Sequence, residues 1–342
     1  MAEHNSAFAT DRYRGQIALR MVKAAKRLLK RLLWKISPKT VYRMIPEGRT
    51  QFSIGIFTGK SPFELQAAPT ASNPVLAPVD ITEAPVGTVA DPFMLNVSGS
   101  WYMFFEVTNK FSNKGEIALA SSPDAIKWKF ERIVLSEPFH MSYPYVFEWQ
   151  DDFYMVPETG RDKSVRLYKA DRFPFDWTCV ATLLEGSRFA DSSLFRFADR
   201  WWLFTDAGAD AKSPLLKLYF ADDLPGPWTE HPKSPMAGGD PHTSRPGGRV
   251  VIIDGTPYRF TQNVYPVYGT EVHAFEIHQL STTTYEERQV GDKPVIGPGT
   301  EAWNRHGMHH MDSHQLEDGS WLACVDGCVR RNFDESQISA IK

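Results

Sequence analysis

Carboxylic acids stand at three places in the chain where the neighbouring residues are largely apolar or aromatic. Asp91 lies in the segment ADPFML, Glu158 in VPETG and Asp191 in ADSSLF. When two carboxyl groups are held close together, the neighbouring negative charge raises the pKa of one, whereas a nearby arginine lowers the pKa of the other. One carboxylate and one protonated carboxyl are what cleavage or transfer of a glycosidic bond requires. These three residues are therefore the catalytic candidates.

A second set of polar residues could bind a sugar beside these acids. The segment HGMHHMDSHQ at 306–315 contains four histidines and one aspartate. In a strand, His310, Asp312 and His314 would share one face, which leaves a bound cation open as an alternative. Hydrogen bonds from the histidines to sugar hydroxyls or carboxylates are the favoured interpretation, so no metal and no cofactor is expected. The substrate-binding candidates are Glu106, Tyr143, Asp206, Arg245, Gln262, His309, His310 and Asp312.

Other chemistries lack their motifs. Cys179, Cys324 and Cys328 are an odd number without the paired spacing of zinc sites, so reduced thiols are expected. The chain contains no GxSxG nucleophile motif and no GxGxxG or GxxxxGK[ST] phosphate loop. Serine hydrolases, kinases and dehydrogenases are therefore excluded.

The elements that must position these residues form a repeat of roughly fifty residues. Each copy has a strand that begins with an aromatic residue and ends four positions later in a polar one, and a turn signal precedes each strand. These strands lie at 102–106, 154–158, 202–206 and 258–262, and a fifth at 322–326 begins with leucine. In three copies a later strand closes on a tryptophan, namely Trp128, Trp177 and Trp228. Five copies predict an all-β fold, a five-bladed β-propeller with four strands in each blade, with a β-sandwich as the alternative.

The ring must also close. The fifth copy ends too early to supply its third strand, whereas the segment FSIGIFTGKSPFEL at 52–65 has the character of a third strand without a copy of its own. We expect residues 52–58 to complete the blade begun by residues 311–326, which removes free sheet edges. The proline-rich stretch 61–88 is predicted to be an extended connection. The predicted organisation is a basic amphipathic segment at 1–50, the propeller at 51–330 and a tail at 331–342.

Propeller geometry predicts which residues meet. The innermost strands lie side by side around the axis, so equivalent residues of successive blades converge on one mouth. Those residues are Asp91, Tyr143, Asp191, Arg245 and the segment from His309 to Asp312. An antiparallel hairpin places the end of the second strand beside the start of the first, which predicts a second ring. That ring consists of Glu106, Glu158, Asp206, Gln262 and Asp326.

The amino-terminal segment differs in charge from the rest of the chain. Residues 12–46 contain eleven lysines and arginines and no acid, whereas the remainder is acidic, which argues against nucleic-acid binding. Apolar residues recur at helical spacing over 17–36, without an apolar run long enough to span a membrane. Three interpretations stay open: a helix on an anionic membrane surface through residues 15–36, a helix docked on the acidic body, or a targeting or linker segment. We expect a cytoplasmic protein, peripheral at the membrane under the first interpretation.

Several segments also carry a resemblance to known families. ADPF, SSPDAIKW and the five repeats resemble the five-bladed furanosidase-type glycoside hydrolases, such as family 43. A more specific resemblance, over about residues 50–330, is to the amino-terminal domain of glucosamine inositolphosphorylceramide transferases and to similar bacterial proteins, some joined to formyltransferase-like domains. It is carried by GTVADPFML, SYPYVFEW, VPETG, ADSSLF, RPGGRV and GMHHMDSHQ, among other segments.

The hydrolase resemblance implies an inner-strand aspartate of blade one as base or nucleophile, which Asp91 matches. It also implies an acidic residue in blade two, where this sequence has Tyr143, and a glutamate acid in blade three, where it has Asp191. Glu158 could supply the missing acid. We therefore expect a glycosidase-like or transglycosylating enzyme that acts on a cell-surface glycan or glycolipid. The alternatives are a non-catalytic glycan-binding module that presents an acceptor to a separate glycosyltransferase or formyltransferase, and an interaction scaffold.

Overall fold

The protein is a five-bladed β-propeller. The computed structural model describes residues 21, 25–26, 28–29, 32–37, 50–210, 213–236 and 239–331. Within these ranges, strands form five antiparallel sheets, one for each blade, and the innermost strands of successive blades contact one another. The predicted fold class is therefore confirmed.

The first two strands that the structure describes belong to blade five, whose other two strands are the last in the chain. The first pair is β1 (Thr50–Ser61) and β2 (Glu64–Ala67). Blade one follows as β3 (Val86–Val97), β4 (Ser100–Asn109), β5 (Lys114–Ser122) and β6 (Lys129–Leu135). Blade two is β7 (Ser142–Trp149), β8 (Asp152–Thr159), β9 (Ser164–Arg172) and β10 (Asp176–Glu185).

The remaining blades follow in chain order. Blade three is β11 (Ala190–Phe197), β12 (Arg200–Asp206), β13 (Leu216–Ala221) and β14 (Thr229–Glu230). Blade four is β15 (Arg245–Pro246), β16 (Val251–Ile253), β17 (Thr256–Gln262), β18 (Val272–Leu280) and β19 (Tyr285–Gln289). Blade five combines β20 (Met311–Gln315) and β21 (Trp321–Arg330) with β1 and β2. Short 3₁₀ helices lie at Pro78–Asp80 and Gly160–Asp162.

Blade five closes the ring by pairing both ends of the propeller sequence. Strand β1 lies antiparallel to β21 from the Thr50–Arg330 pair to the Gly59–Trp321 pair. The prediction that residues 52–58 complete this blade is therefore confirmed. The stretch 61–88 is more structured than the predicted extended connection, because β2 pairs with the free edge of β1 and Leu76 returns to bridge Ile54.

The tryptophans that close the third-strand repeat have one common role. The indole N–H groups of Trp128, Trp177 and Trp228 donate to the carbonyl oxygens of Ala125, Pro174 and Leu224, three or four residues upstream. The Trp177 ring also lies edge-on to Phe104 of blade one, at 5.4 Å between ring centroids. Each tryptophan therefore fixes the turn that follows the third strand of its blade. Trp177 also contributes to the apolar layer between neighbouring blades.

The amino-terminal segment touches the propeller near its start. Residues 32–36 are helical, and Trp34 is buried against Ala84 and Phe111. Its indole N–H donates to the Thr82 carbonyl at 3.0 Å. Among the described residues, no helix combines the length and the apolar character that a membrane crossing needs.

Candidate functional site

Three inner strands share an uncommon backbone conformation at the same position. Asp91, Tyr143 and Asp191 have φ angles of 52°, 46° and 50°. At each of these residues the pairing with the second strand shifts by a β-bulge. Non-glycine residues in such a conformation cost of order 1–3 kcal/mol each and cluster at functional sites. The bulge therefore redirects the start of the inner strand in blades one, two and three, although the side chains differ.

The second-strand residues lie at the same end of the propeller. Strand pairing places Ala90 opposite Glu106, Ser142 opposite Glu158, and Ala190 opposite Asp206. Blade four repeats this with Arg245 opposite Gln262. The two predicted rings thus meet at one edge of the propeller. Arg245 is equivalent to Ala90 of blade one, so it lies one residue before the position of Asp91.

At this edge lies a polar cavity of about 270 Å³, which we name the mouth cavity. Five predicted site residues line it, namely Asp91, Glu106, Glu158, Arg245 and His309. The other lining residues are Phe52, Thr88, Ala90, Thr108, His140, Ser142, Arg161, Arg188 and Tyr268. Of the residues that sequence reasoning missed, Arg161 directly follows VPETG and Arg188 lies two positions before ADSSLF, so proximity to these segments was the available signal. Tyr268 lies in the loop between β17 and β18 and carried no such signal.

Two predicted site residues, Asp191 and Gln262, lie behind the cavity wall, and Asp191 binds Arg245, which lines the cavity. The Arg245 Nε–H donates to Asp191 Oδ2 at 2.5 Å, and the Gln262 side-chain amide donates to the same oxygen at 2.8 Å. Arg245 also lies 3.6 Å from a carboxylate oxygen of Glu158 and 5.3 Å from the centre of the Tyr268 ring. Asp191 and Gln262 therefore hold the guanidinium that faces Glu158.

The other four predicted residues are not part of the cavity lining. The Tyr143 hydroxyl lies inside the ring, where it contacts Ser193 and donates to the Gly248 carbonyl. Asp206 is fully buried and accepts two backbone N–H groups of its own blade.

His310 and Asp312, the remaining two, tie blade five to its neighbours. Nε2 of His310 lies 3.0 Å from the carbonyl oxygen of Pro92 in blade one. Asp312 accepts the backbone N–H of Met94 and the Nε–H of Arg249. The structure thus places both residues in the wall between blades, outside the mouth cavity.

Burial and charge divide the acids of this site into two groups. Burial, reinforced by Glu158, raises the pKa of Glu106 to about 8. Burial and the neighbouring Asp191 likewise raise the pKa of Glu158 to about 8. Burial also raises the pKa of Asp91 well above its usual value. Burial pushes the pKa of Asp191 upward as well, but Arg245 outweighs it and holds that pKa below its usual value. At neutral pH Glu106 and Glu158, which line the cavity, are therefore protonated, whereas Asp191 behind the wall is ionised.

Asp91, His309 and Asp326 form a buried row at the junction of blades one and five. His309 Nδ1 lies 2.7 Å from Asp326 Oδ1, and His309 Nε2 lies 3.6 Å from Asp91 Oδ1. Burial lowers the pKa of His309, but the Asp326 carboxylate outweighs it and raises that pKa above its usual value. This favours a charged imidazolium between the two acids.

Donor atoms of the same three residues lie within 4.8 Å of one another, which is the spacing of a metal site. However, Asp326 Oδ1 already accepts the backbone N–H groups of His309 and His310, and Oδ2 accepts that of Asp91. A cation would have to compete with these bonds and with the His309 ring. The residues present therefore fit a hydrogen-bonded row better than a metal site.

A family model described as glucosamine inositolphosphorylceramide transferase 1, N-terminal, matches residues 45–328. A protein of that name from Oryza sativa subsp. japonica is 35% identical over 304 residues, covering 83% of this chain and 41% of the relative. The Arabidopsis thaliana protein of the same name is 31% identical over 297 residues, covering 81% of this chain and 39% of the relative. The chain thus spans about two-fifths of the length of these curated relatives.

Solved structures share the architecture at low sequence identity. A thermostable family-43 glycoside hydrolase has a TM-score of 0.51 at 13% identity, covering 72% of this chain and 90% of that one. An endo-1,4-beta-xylanase from Bacteroides thetaiotaomicron has a TM-score of 0.52 at 18% identity, covering 68% of this chain and 82% of that one. These similarities concern the fold, whereas the family match extends over most of the sequence. The chain therefore belongs to the family of the glucosamine inositolphosphorylceramide transferase 1 N-terminal domain.

Proposed function

We propose that the mouth cavity binds a cell-surface glycan or the sugar headgroup of a glycolipid and breaks or transfers a glycosidic bond. The observation that carries this proposal is the convergence of Asp91, Glu106 and Glu158 from two neighbouring blades on one polar cavity. The name of the curated relatives, which contains a glycolipid, supports the substrate class.

In the proposed reaction Glu158 is the acid, because its pKa of about 8 leaves it protonated at neutral pH. Its proton passes to the glycosidic oxygen as the bond from that oxygen to the anomeric carbon breaks. Asp91, after losing its own proton to solvent, can act in two ways. It takes a proton from a water that attacks the anomeric carbon, or it bonds to the anomeric carbon itself until a water or an acceptor hydroxyl displaces it and returns a proton to Glu158. The neighbouring imidazolium of His309 would stabilise the Asp91 carboxylate that this requires.

The pH dependence of the reaction rate follows from the raised pKa values of these carboxyls. The reactive state needs Asp91 ionised and Glu158 protonated. Burial raises the pKa of both carboxyls, that of Glu158 to about 8. We therefore expect a bell-shaped rate profile whose descending limb lies near pH 8, where Glu158 loses its proton. Its ascending limb follows the raised pKa of Asp91, so the optimum lies on the alkaline side of that of ordinary carboxyl pairs. A rate that is maximal near pH 5 would contradict this assignment.

The decisive experiment measures turnover and binding on the same oligosaccharide panel with Asp91→Asn and Glu158→Gln. Each variant is expected to lose roughly 10²- to 10⁴-fold in turnover while it still binds sugar. Asp199→Asn is the matched control, because Asp199 also has a positive φ of 58° but lies in an exposed turn of blade three. Unchanged turnover in both cavity variants would rule out carboxyl catalysis.

A second candidate function is a glycan-binding module that presents an acceptor to a separate glycosyltransferase or formyltransferase. It is favoured by the position of Asp191, the ionised acid, which is bound to Arg245 behind the wall. The cavity then offers mainly hydrogen-bond donors to a sugar. Under this function, Asp91→Asn changes affinity, and the wild-type protein cleaves no member of the panel.

We further propose that the amino-terminal segment binds an anionic membrane surface. Leu28, Leu32 and Ile36 are 60%, 54% and 81% exposed, while Trp34 holds this segment to the propeller. The cationic composition of residues 12–46 complements the anionic lipids of a cytoplasmic leaflet. This supports a cytoplasmic protein that is peripheral at the membrane.

Phosphatidylserine vesicles test this membrane proposal. Leu32→Ser with Ile36→Ser is expected to weaken binding, and added salt is expected to weaken binding of the wild type. Val79→Ser is the matched control, because Val79 is an equally exposed apolar residue of the propeller body. Equal partitioning of the double variant, the control and the wild type would refute the proposal.

A further inference from the structure

We propose that Arg161 and Arg188 form a subsite for an oxyanion carried by the glycan, either a phosphate diester or a sugar carboxylate. This inference rests on the proposed function, because it assigns a chemical class to the substrate of the same cavity. It concerns two arginines to which the catalytic scheme above gives no role.

The first observation is the difference between these arginines and Arg245. The Arg245 guanidinium lies 2.5 Å from Asp191 and 3.6 Å from Glu158, so protein carboxyls already satisfy it. Among the carboxylates that the structure describes, Asp206 alone lies within 4.0 Å of the Arg188 guanidinium, which also donates a long bond of 3.5 Å to the Gly208 carbonyl. In the part of the chain that the structure describes, no carboxylate oxygen lies within 4.0 Å of Arg161.

The second observation is that the fold brings the two arginine segments together. Arg161 follows β8 of blade two, and Arg188 precedes β11 of blade three. Gly160 lies between them so closely that a Cβ there would be 2.4 Å from the Phe189 carbonyl oxygen and 3.4 Å from Arg188 Cγ. Both side chains then line the mouth cavity. A glycine at 160 is therefore what allows two arginines from neighbouring blades to approach one cavity.

The charge of the cavity favours an anion. Glu106 and Glu158 are protonated at neutral pH, so they do not repel a negative group and can donate hydrogen bonds to it. His140 lines the same cavity, and its Nδ1 accepts the Gly115 backbone N–H, so its Nε2–H can donate to a bound group. Guanidinium groups bind phosphate and carboxylate oxygens in a bidentate manner, which gives both affinity and orientation.

Calorimetric titration of the full chain tests the subsite. The probes are glycerophosphoinositol against myo-inositol, and glucuronate against glucose, which separate a phosphate source of the oxyanion from a carboxylate source. We expect one charged probe to bind at least about tenfold more tightly than its uncharged partner. Arg161→Gln and Arg188→Gln should each lose about tenfold in affinity for that probe, which corresponds to about 1.4 kcal/mol, because each removes a charge-assisted hydrogen bond.

Arg172→Gln is the matched control, because Arg172 of blade two is exposed and paired with Asp176. It should bind like the wild type, and unfolding midpoints should show that all variants are folded. If charged and uncharged probes bind equally and the arginine variants lose nothing, the subsite is refuted while glycan binding stands. If no sugar binds and inorganic phosphate alone binds, the proposed function falls and the subsite on a glycan falls with it.

Discussion

Asp326→Asn tests how the two ends of the ring are joined beside the cavity. Asp326 is fully buried, and its Oδ1 accepts the backbone N–H groups of His309 and His310 at 3.1 Å each. The same oxygen lies 2.7 Å from His309 Nδ1, and Oδ2 accepts the Asp91 N–H at 3.0 Å. An asparagine has only one side-chain oxygen. In either orientation, its NH₂ group would therefore face an N–H donor.

The expected magnitude follows from this count of donors. Hydrogen bonds to a charged group are worth about 1.5–3 kcal/mol, and removing one partner of a buried ion pair typically costs about 3–5 kcal/mol. Because the amide oxygen can retain some of the bonds, we expect Asp326→Asn to lower the free energy of unfolding by about 3–5 kcal/mol. This loss is a large part of the free energy of unfolding of a typical domain, which is roughly 5–15 kcal/mol. Urea unfolding followed by tryptophan fluorescence at pH 7 measures the loss.

The same variant carries a pH signature. Burial raises the pKa of Asp326, but His309 outweighs it and leaves that pKa below its usual value. The stabilisation is therefore present above the unfolded-state pKa of about 3.9 and is lost as the pH falls through the lower folded-state value. The difference between the variant and the wild type should shrink in acid.

Asp318→Asn is the control for this prediction, because Asp318 lies in the exposed turn of the same hairpin and bonds only to Ser320. It should lose well under 1 kcal/mol. If Asp326→Asn also stays within 1 kcal/mol of the wild type at pH 7, the carboxylate does not join blade five to blade one as described.

Three further substitutions test other parts of the structure. Tyr143→Phe should cost about 1–3 kcal/mol in urea unfolding, because Ser193 and the Gly248 backbone lose a buried partner; an unchanged midpoint would contradict the contact. Gly248→Ala should cost more, since its Cβ would lie 1.9 Å from the Met311 carbonyl oxygen at a φ of 154°; a Tm equal to that of the wild type would disprove this close approach. Trp34→Ala should expose the amino-terminal segment to protease while the Tm of the propeller stays the same, and unchanged proteolysis would mean that Trp34 is not its anchor.

The blades could be predicted because each depends on local signals. A turn, an aromatic start and a polar end recur five times, and the strand at 52–58 had no other partner. Strand β2 was not predicted, since its four residues stand at the start of a proline-rich stretch and pair only because β1 leaves an edge free. The inner strand of blade four is interrupted, because β15 ends at Pro246 and β16 begins at Val251. Between them Gly248 approaches blade five too closely for a side chain, since a Cβ there would lie 1.9 Å from the Met311 carbonyl oxygen.

The site was harder to predict than the fold because register fixes a position but not the direction of a side chain. The residues at 91, 143 and 191 share one backbone conformation. Only Asp91 lines the mouth cavity, whereas the Tyr143 ring lies inside the propeller and Asp191 binds Arg245. Arg161, in the short 3₁₀ helix after β8, and Arg188, in the loop before β11, reach the cavity instead, and such connecting segments have no periodic signal.

The distance of each buried acid from Arg245 decides its protonation state. Glu158 and Asp191 are both buried beside Arg245, yet their pKa values move in opposite directions. The Arg245 Nε–H bonds directly to Asp191, while its contact with Glu158 is longer by about an ångström. One arginine therefore neutralises the nearer acid and leaves the farther one protonated. The placement of a single cation thus gives two neighbouring buried acids different protonation states at neutral pH.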